Sequence, residues 1–293
     1  MSILDALRAW ATNLKPLFPQ ESGRAWVEAS ELMAFVLKKD REWLVTHAHQ
    51  TLNRLDRVKF ERLCKRRLAH TPLAYLIHQK YFYGRAFFVD THVLIPRPET
   101  EALVDEALKH AKGAMVWDVG TGSGAIAISL ANRYRTVIAS DMSNKALRVA
   151  KQNAKHHKAN ITFIQEYLLG PKVASLLRRK MNTHLIVVAN LPYLPISDQK
   201  KLDASVVKYE PALALFTKDN GQWLNKKLLT QLSRLHRPMT ILLEYDSPQT
   251  KTLQTFAKKI FPKAKIAIIK DPFGRNRILN IICSVPQTSN HRS

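Results

Sequence analysis

At 293 residues the chain is long enough for about two domains, and its 46% apolar content supports a sizeable core. Lys and Arg number 46 against 23 Asp and Glu, a formal charge of +23 that excludes an acidic, solvating polypeptide. No apolar run reaches the roughly 18 residues of a membrane span, and Cys64 and Cys283 alone exclude a disulfide framework or a cysteine-rich zinc site.

The first residues, Met1-Ser2-Ile3-Leu4-Asp5, carry no basic stretch ahead of an apolar one, so no signal peptide is expected and the location expected is cytoplasmic. Ser2 stands before Leu4, Leu7, Trp10, Ala11 and Leu14 at helical spacing, and Pro16 and Pro19 end that helix. Ser22 precedes a second stripe, Trp26, Ala29, Met33 and Val36 or Leu37. Two shorter stripes come next, Trp43, Leu44 and His47, then Leu55, Val58, Phe60, Leu63 and Leu68. Their tryptophans and leucines are expected to face a core. Lys65-Arg66-Arg67 is expected to be a solvated helix end favoured by the dipole, with a nucleic-acid contact as the alternative.

Aromatic and β-branched residues around Gly84, from Tyr81 to Val89, predict a strand pair linking this helical part to the remainder of the chain. Pro96 and Pro98 set an extended entry, and Pro98 suits the first turn of a helix through Leu103, Val104 and Leu108. Strands and helices then alternate. Strands are predicted at 114–117, 135–140, 160–164, 184–189, 239–244, 264–269 and 277–283, with a helix from Ser143 to His157 among the helical stretches. Only the Asp271-Pro272-Phe273-Gly274 turn separates the last two, so they are expected to be antiparallel neighbours. The domains predicted are 1–77, helical; 78–94, a hairpin linker; and 95–293, an α/β domain whose Rossmann-like sheet has seven strands, the last antiparallel.

Asp118-Val119-Gly120-Thr121-Gly122-Ser123-Gly124 follows the first of these strands and opens a helix, the arrangement that brings backbone N–H groups to a nucleotide-like ligand. Asp141 ends the next strand, where a carboxylate accepts from both hydroxyls of a ribose; a helix cap is the other reading of it. The glycine spacing is not that of dinucleotide binders, and no Gly-Lys-Ser/Thr follows to cradle phosphate. A ligand with ribose and adenine but no phosphate, S-adenosylmethionine, fits. Asn190-Leu191-Pro192-Tyr193 ends the fourth strand. A planar nitrogen is oriented when its two N–H bonds meet two acceptors, here the Asn190 side-chain oxygen and the Leu191 carbonyl, with Tyr193 packed on the planar group. An ordinary strand-ending turn is the alternative.

In order, Ile95-Pro96-Arg97-Pro98-Glu99-Thr100-Glu101, Asp118 to Ala127 and Asn190-Leu191-Pro192-Tyr193 resemble the PrmC/HemK family, along nearly the whole chain. Pro72-Leu73-Ala74-Tyr75-Leu76 and Tyr209-Glu210-Pro211-Ala212-Leu213-Ala214-Leu215 resemble further segments of that family. The resemblance implies a class I methyltransferase that methylates the side-chain amide of the glutamine in the Gly-Gly-Gln motif of class I peptide chain release factors. It implies Gly120, Thr121, Gly122, Ser123 and Gly124 along the methionine and ribose, Asp141 on the ribose and Asn190 at both cofactor and substrate. Glutamine would sit on Asn190, Leu191, Pro192 and Tyr193. This chain departs from the family pattern at Leu191, where a proline is usual, and at His78, where a glycine is common. It departs also at Tyr167 and Leu168, where an acidic residue and an adenine neighbour are usual; Leu168 is the expected adenine contact and Tyr167 the alternative. Asn-Leu-Pro-Tyr also resembles the motif of ribosomal RNA adenine dimethylases, and the +23 charge would suit RNA. Those enzymes place their extra domain after the catalytic one, so release factor is the expected partner and nucleic acid the alternative.

Overall fold

A computed structural model describes residues 1–284, which group into two compact units. One comprises Met1–Gln79 with Asp203–Tyr209; the other comprises Lys80–Leu202 and, among the described residues, 210–284.

The smaller unit contains α1 (Ile3–Leu14), α2 (Arg24–Leu37), α3 (Arg41–Thr46), α4 (Arg54–Leu68) and α5 (Leu73–Leu76). Ser2 and Asp5 form a reciprocal capping box at α1, satisfying backbone donors that would otherwise be orphaned. Ile3, Leu7, Leu14, Ala29, Leu32, Met33, Leu44 and Phe60 form its core. Three expectations need correction. Trp26 is 38% exposed, because α2 turns Ala25, Ala29, Leu32 and Met33 inward instead. In α4 the inward face is Phe60, Cys64 and Arg67, which leaves Leu55 and Val58 on the opposite side, 73% and 52% exposed. Arg67 is not solvated: it is buried, and its Nε donates to Glu28 Oε2 at 2.5 Å while its guanidinium lies over the Phe18 ring.

Next along the chain come β1 (Gln79–Phe82) and β2 (Arg85–Phe88), the predicted hairpin, and after a 3-10 turn at Pro98–Thr100, α6 (Glu101–Leu108). The alternating region runs β3 (Met115–Val119), α7 (Ala125–Ala131), β4 (Thr136–Asp141), α8 (Asn144–His156), β5 (Thr162–Gln165), α9 (Pro171–Arg178) and β6 (Leu185–Ala189). It continues through β7 (Leu194–Pro195), α10 (Ala204–Tyr209), β8 (Phe216–Thr217), α11 (Lys218–Gly221) and α12 (Trp223–Leu232). It closes with β9 (Met239–Glu244), α13 (Thr250–Ile260), β10 (Lys265–Lys270) and β11 (Asn276–Cys283).

The main sheet has seven strands in the order β10-β11-β9-β6-β3-β4-β5. All neighbours are parallel except β11, which runs antiparallel to both β9 and β10. The short turn before β11 leaves no room for a crossover helix, as the sequence required. Strands β3, β6 and β9 are buried throughout. Met115, Trp117, Leu185, Val187, Ile241 and Leu243 face one core and Val116, Ile186, Val188 and Leu242 the other, the two-residue alternation of a sheet covered on both faces. The short parallel pair β7–β8 was not expected from the sequence.

Candidate active site

Polar side chains gather where β3, β4, β6 and β9 end, the carboxyl edge at which open α/β sheets bind ligands. After β3 the chain turns through Gly120, Gly122 and Gly124, with φ of 71°, 54° and 81°, a path that side chains with a Cβ resist. The loop is tied to the end of β4: the Gly120 and Thr121 amides donate to the Ser140 carbonyl at 2.8 and 2.9 Å, and the Gly122 amide to Asp141 Oδ2 at 3.0 Å. Asp118, fully buried, accepts from Thr121 Oγ1 at 2.7 Å and the Ala127 amide at 3.2 Å on one oxygen, while its Oδ1 has no partner. Burial pushes its carboxyl up to about 7, against the pull of those two donors.

Asp141 accepts from the Ser143 amide at 2.8 Å through Oδ1, so each carboxylate oxygen holds one backbone N–H and keeps further acceptor capacity. Burial raises its pKa, with the Ser143 and Gly122 amides opposing. The cap of α8 is Ser143, whose hydroxyl accepts from the Ala146 amide at 3.2 Å, so Asp141 is not needed for it.

Asn190 follows β6, and its Nδ2 donates to Thr100 Oγ1 at 3.0 Å, which leaves Oδ1 as the acceptor end. Leu191 is buried, and its Cδ2 would lie 2.9 Å from a Cβ on Gly120. The backbone beyond is fastened by Gln249, whose Nε2 donates to the Tyr193 carbonyl at 2.7 Å and the Asn220 carbonyl at 2.9 Å. The Tyr193 hydroxyl donates to Glu244 Oε1 at 3.1 Å, and burial followed by the Glu244 charge drives the phenol's pKa upward. Glu244 is fully buried at the end of β9; burial pushes it up to about 7, opposed first by the Thr100 hydroxyl and then by Arg277. No well-formed hydrogen bond reaches its Oε2, although the Thr100 hydroxyl is near enough to favour the ionised form.

A solvent-open cavity of about 1160 Å³ within the larger unit collects Gly120, Thr121, Gly122, Ser123, Asp141, Leu168, Asn190, Leu191 and Pro192. Gly124 and Tyr193 are not in its lining. Gly124 instead precedes α7 and packs toward Ala150. Leu168 is buried with φ of 49°, whereas Tyr167 is 37% exposed with Lys227 Nζ 4.7 Å above its ring. Glu166 also lines the cavity, but its carboxylate is spent on the Lys172 and Val173 amides at the start of α9. Thr100, another lining residue, and Glu244 were not singled out from the sequence as functional. Thr100 lies in the Pro-Arg-Pro-Glu segment, and the only sign at Glu244 is an acid closing an apolar strand.

The lining contains no lysine and one arginine, Arg97, already paired with Glu210 at 2.5 Å. One lining carboxylate with spare acceptor capacity, Asp141, and a glycine wall with no Cβ suit a cationic, phosphate-free nucleoside ligand and fit S-adenosylmethionine.

Residues 5–77 match the PrmC N-terminal domain family and residues 116–208 a methyltransferase domain family. The release factor glutamine methyltransferase of Bacillus anthracis is 31% identical over 95% of this chain and 98% of its own length. The chain belongs to that family. Its counterpart in Enterococcus faecalis is 38% identical over 81% of this chain and 84% of its own length. Among solved structures, the hMettl16 catalytic domain in complex with MAT2A 3'UTR hairpin 1 is similar in fold, with a TM-score of 0.51, 13% identity and coverage of 87% and 92% of the two chains. The chain is a class I methyltransferase with S-adenosylmethionine as methyl donor. No helix among the described residues is long and apolar enough to cross a membrane.

Proposed function

We propose that this enzyme acts in the cytoplasm on class I peptide chain release factors, methylating the side-chain amide nitrogen of the glutamine in their Gly-Gly-Gln motif. The observation that carries the reading is the Asn190–Thr100 hydrogen bond, which commits the N–H₂ end of Asn190 and leaves its oxygen for a substrate N–H in the same cavity as the glycine loop. The Leu191 carbonyl is the second acceptor. Two acceptors hold the planar amide nitrogen and stop it rotating, the orientation that an attack along one axis requires.

Asp141 holds the ribose hydroxyls, Gly120 to Gly124 shape the wall along the methionine and ribose, and Leu168 lies against adenine. Pro192 gives a rigid edge to the glutamine site, and Tyr193 supports it through Glu244. The donor, when bound, supplies a methyl on a positively charged sulfur; the nitrogen–methyl bond forms as the sulfur–methyl bond breaks, and the electron pair stays on sulfur. The amide proton is lost to water.

Purified release factor, ribosomal RNA and labelled donor incubated together with the enzyme test this directly. Label on the Gly-Gly-Gln glutamine is the expected result, and label confined to RNA overturns it.

A further inference from the structure

Gln249 joins three stretches of chain through one side-chain amide. Its Nε2 donates to the Tyr193 carbonyl at 2.7 Å and to the Asn220 carbonyl at 2.9 Å, and its Oε1 accepts from the Asp246 amide at 3.3 Å. An amide group carries two N–H donors and an acceptor oxygen, so all three bonds are made at once. A carboxylate of the same shape has no proton to give, and asparagine is one carbon short. Gln249 is buried, and the 3-10 turn that carries it, Ser247–Gln249, is closed by a capping box with Asp246. Its side chain is therefore fixed before any ligand arrives.

Gly221 comes up against the same Tyr193 carbonyl. Asp219, Asn220 and Gly221 stand in succession in the left-handed region, with φ of 55°, 49° and 81°, a path that costs energy at the first two. A Cβ on Gly221 would lie 1.9 Å from the Tyr193 oxygen and 2.5 Å from Gln249 Nε2, so no other residue allows this approach. The segment so held, Asn190 to Tyr193, joins the end of β6 at Ala189 to β7, whose Leu194 amide donates to the Leu215 carbonyl at 3.0 Å. Only Pro192, with its ring-locked φ, separates Leu191 from Tyr193. A shift of the Tyr193 carbonyl is thus passed to the Leu191 carbonyl with little slack.

We propose that Gln249 is a positioning residue for methyl transfer, which acts through the Tyr193 carbonyl, seated against Gly221, to fix where the Leu191 carbonyl meets the acceptor amide. This inference rests on the reading of that carbonyl as the second acceptor for the substrate nitrogen. Misplacement by about 1 Å is enough to cost about a hundredfold in rate. Gln249 and Gly221 lie outside the cavity lining, which contains the glycine loop and Asp141, so donor binding does not depend on them.

The test uses the full chain, with purified release factor as methyl acceptor and calorimetric titration of S-adenosylmethionine to count folded, donor-binding sites. Gln249→Met keeps the length and removes both donors. It is expected to lower kcat per donor-binding site about tenfold to a hundredfold, while donor Kd stays within about twofold. Gly221→Ala pushes on the same carbonyl from Gly221 and is expected to show the same split. Melting temperature falls in both, but a merely structural role would reduce the number of sites and leave kcat per site unchanged. Asp219→Asn gives up the ion pair with Lys226, 2.7 Å long, within the same left-handed run, and is expected to keep wild-type kcat per site. Wild-type kcat per site in Gln249→Met or Gly221→Ala, a loss of donor affinity as large as the loss of kcat, or an Asp219→Asn enzyme as slow as Gln249→Met overturns the proposal. A wild-type enzyme that leaves release factor unmethylated overturns instead the substrate reading on which the proposal rests, and the two failures are distinct.

Discussion

Arg97 and Glu210, 113 residues apart, form an ion pair at 2.5 Å that ties the Pro-Arg-Pro-Glu segment to the Glu-Pro segment at the cavity rim. Glu210 also accepts from the Ile95 amide at 3.3 Å. Burial raises the Glu210 pKa, and the Arg97 charge is the chief opposing influence. Removing Arg97 therefore leaves a buried carboxylate short of its counter-charge. Arg97→Ala is expected to destabilise the fold by about 1–3 kcal/mol, below the usual cost of breaking a fully buried pair because the Arg97 side chain is 35% exposed. Arg97→Ala/Glu210→Gln should recover part of that loss in denaturant unfolding; an equally unstable double variant would show that the pair is not the source.

Asp141→Ala is expected to weaken S-adenosylmethionine binding by about 1.5–3 kcal/mol through lost charge-assisted hydrogen bonds to ribose. The structure adds a second cost, since the same carboxylate anchors the Gly122 and Ser143 amides. Calorimetric titration of the folded variant checks it, and an unchanged affinity would place the ribose elsewhere.

The acceptor assigned to residue 191 is a backbone carbonyl, which leucine and proline share. Leu191→Pro is expected to retain kcat within about tenfold of wild type, roughly 1.4 kcal/mol. Gly120→Ala should fare worse in donor affinity, because φ of 71° strains a residue with a Cβ and the added carbon meets Leu191 Cδ2 at 2.9 Å. A Gly120→Ala enzyme with wild-type donor affinity would contradict the placement of this wall.

Glu244 titrates near 7 in the folded chain against an ordinary value of 4.5. Between those pH values the folded state keeps a proton that the unfolded state has released, so this group's contribution to stability falls as pH rises through the window. Glu244→Gln removes the effect. Its stability relative to wild type is expected to improve from about pH 4.5 to about pH 7 and then level off, as read by urea unfolding at several pH values. A difference independent of pH would mean that Glu244 is ionised throughout.

The sheet was legible because β6 is an unbroken apolar run, β9 is apolar at four of its six positions, and the turn before β11 is too short for a helix. The glycine loop and Asp141 were legible because consecutive residues carry the geometry. The Thr100–Asn190 contact spans 90 residues and leaves no pattern along the chain. Nor do composition and spacing distinguish the inward Arg67 from its solvated neighbours; its partner Glu28 lies on another helix. The departure at His78 has a physical reading: with φ of 53° it occupies the left-handed region, which is where a glycine costs least.

The helical unit is discontinuous in sequence, since Asp203–Tyr209 returns to it and the Tyr209 hydroxyl donates to the Ala69 carbonyl at 2.8 Å. The chain therefore passes between the units after Gln79, after Leu202 and after Tyr209. A protease that cuts once near residue 79 breaks one of three covalent connections, and the severed N-terminal fragment still shares a folded unit with a segment of the other piece. Such a nicked protein should migrate as two bands under denaturing conditions yet elute as one species in native buffer. A fragment ending at residue 79 lacks α10 and is an incomplete version of its own fold.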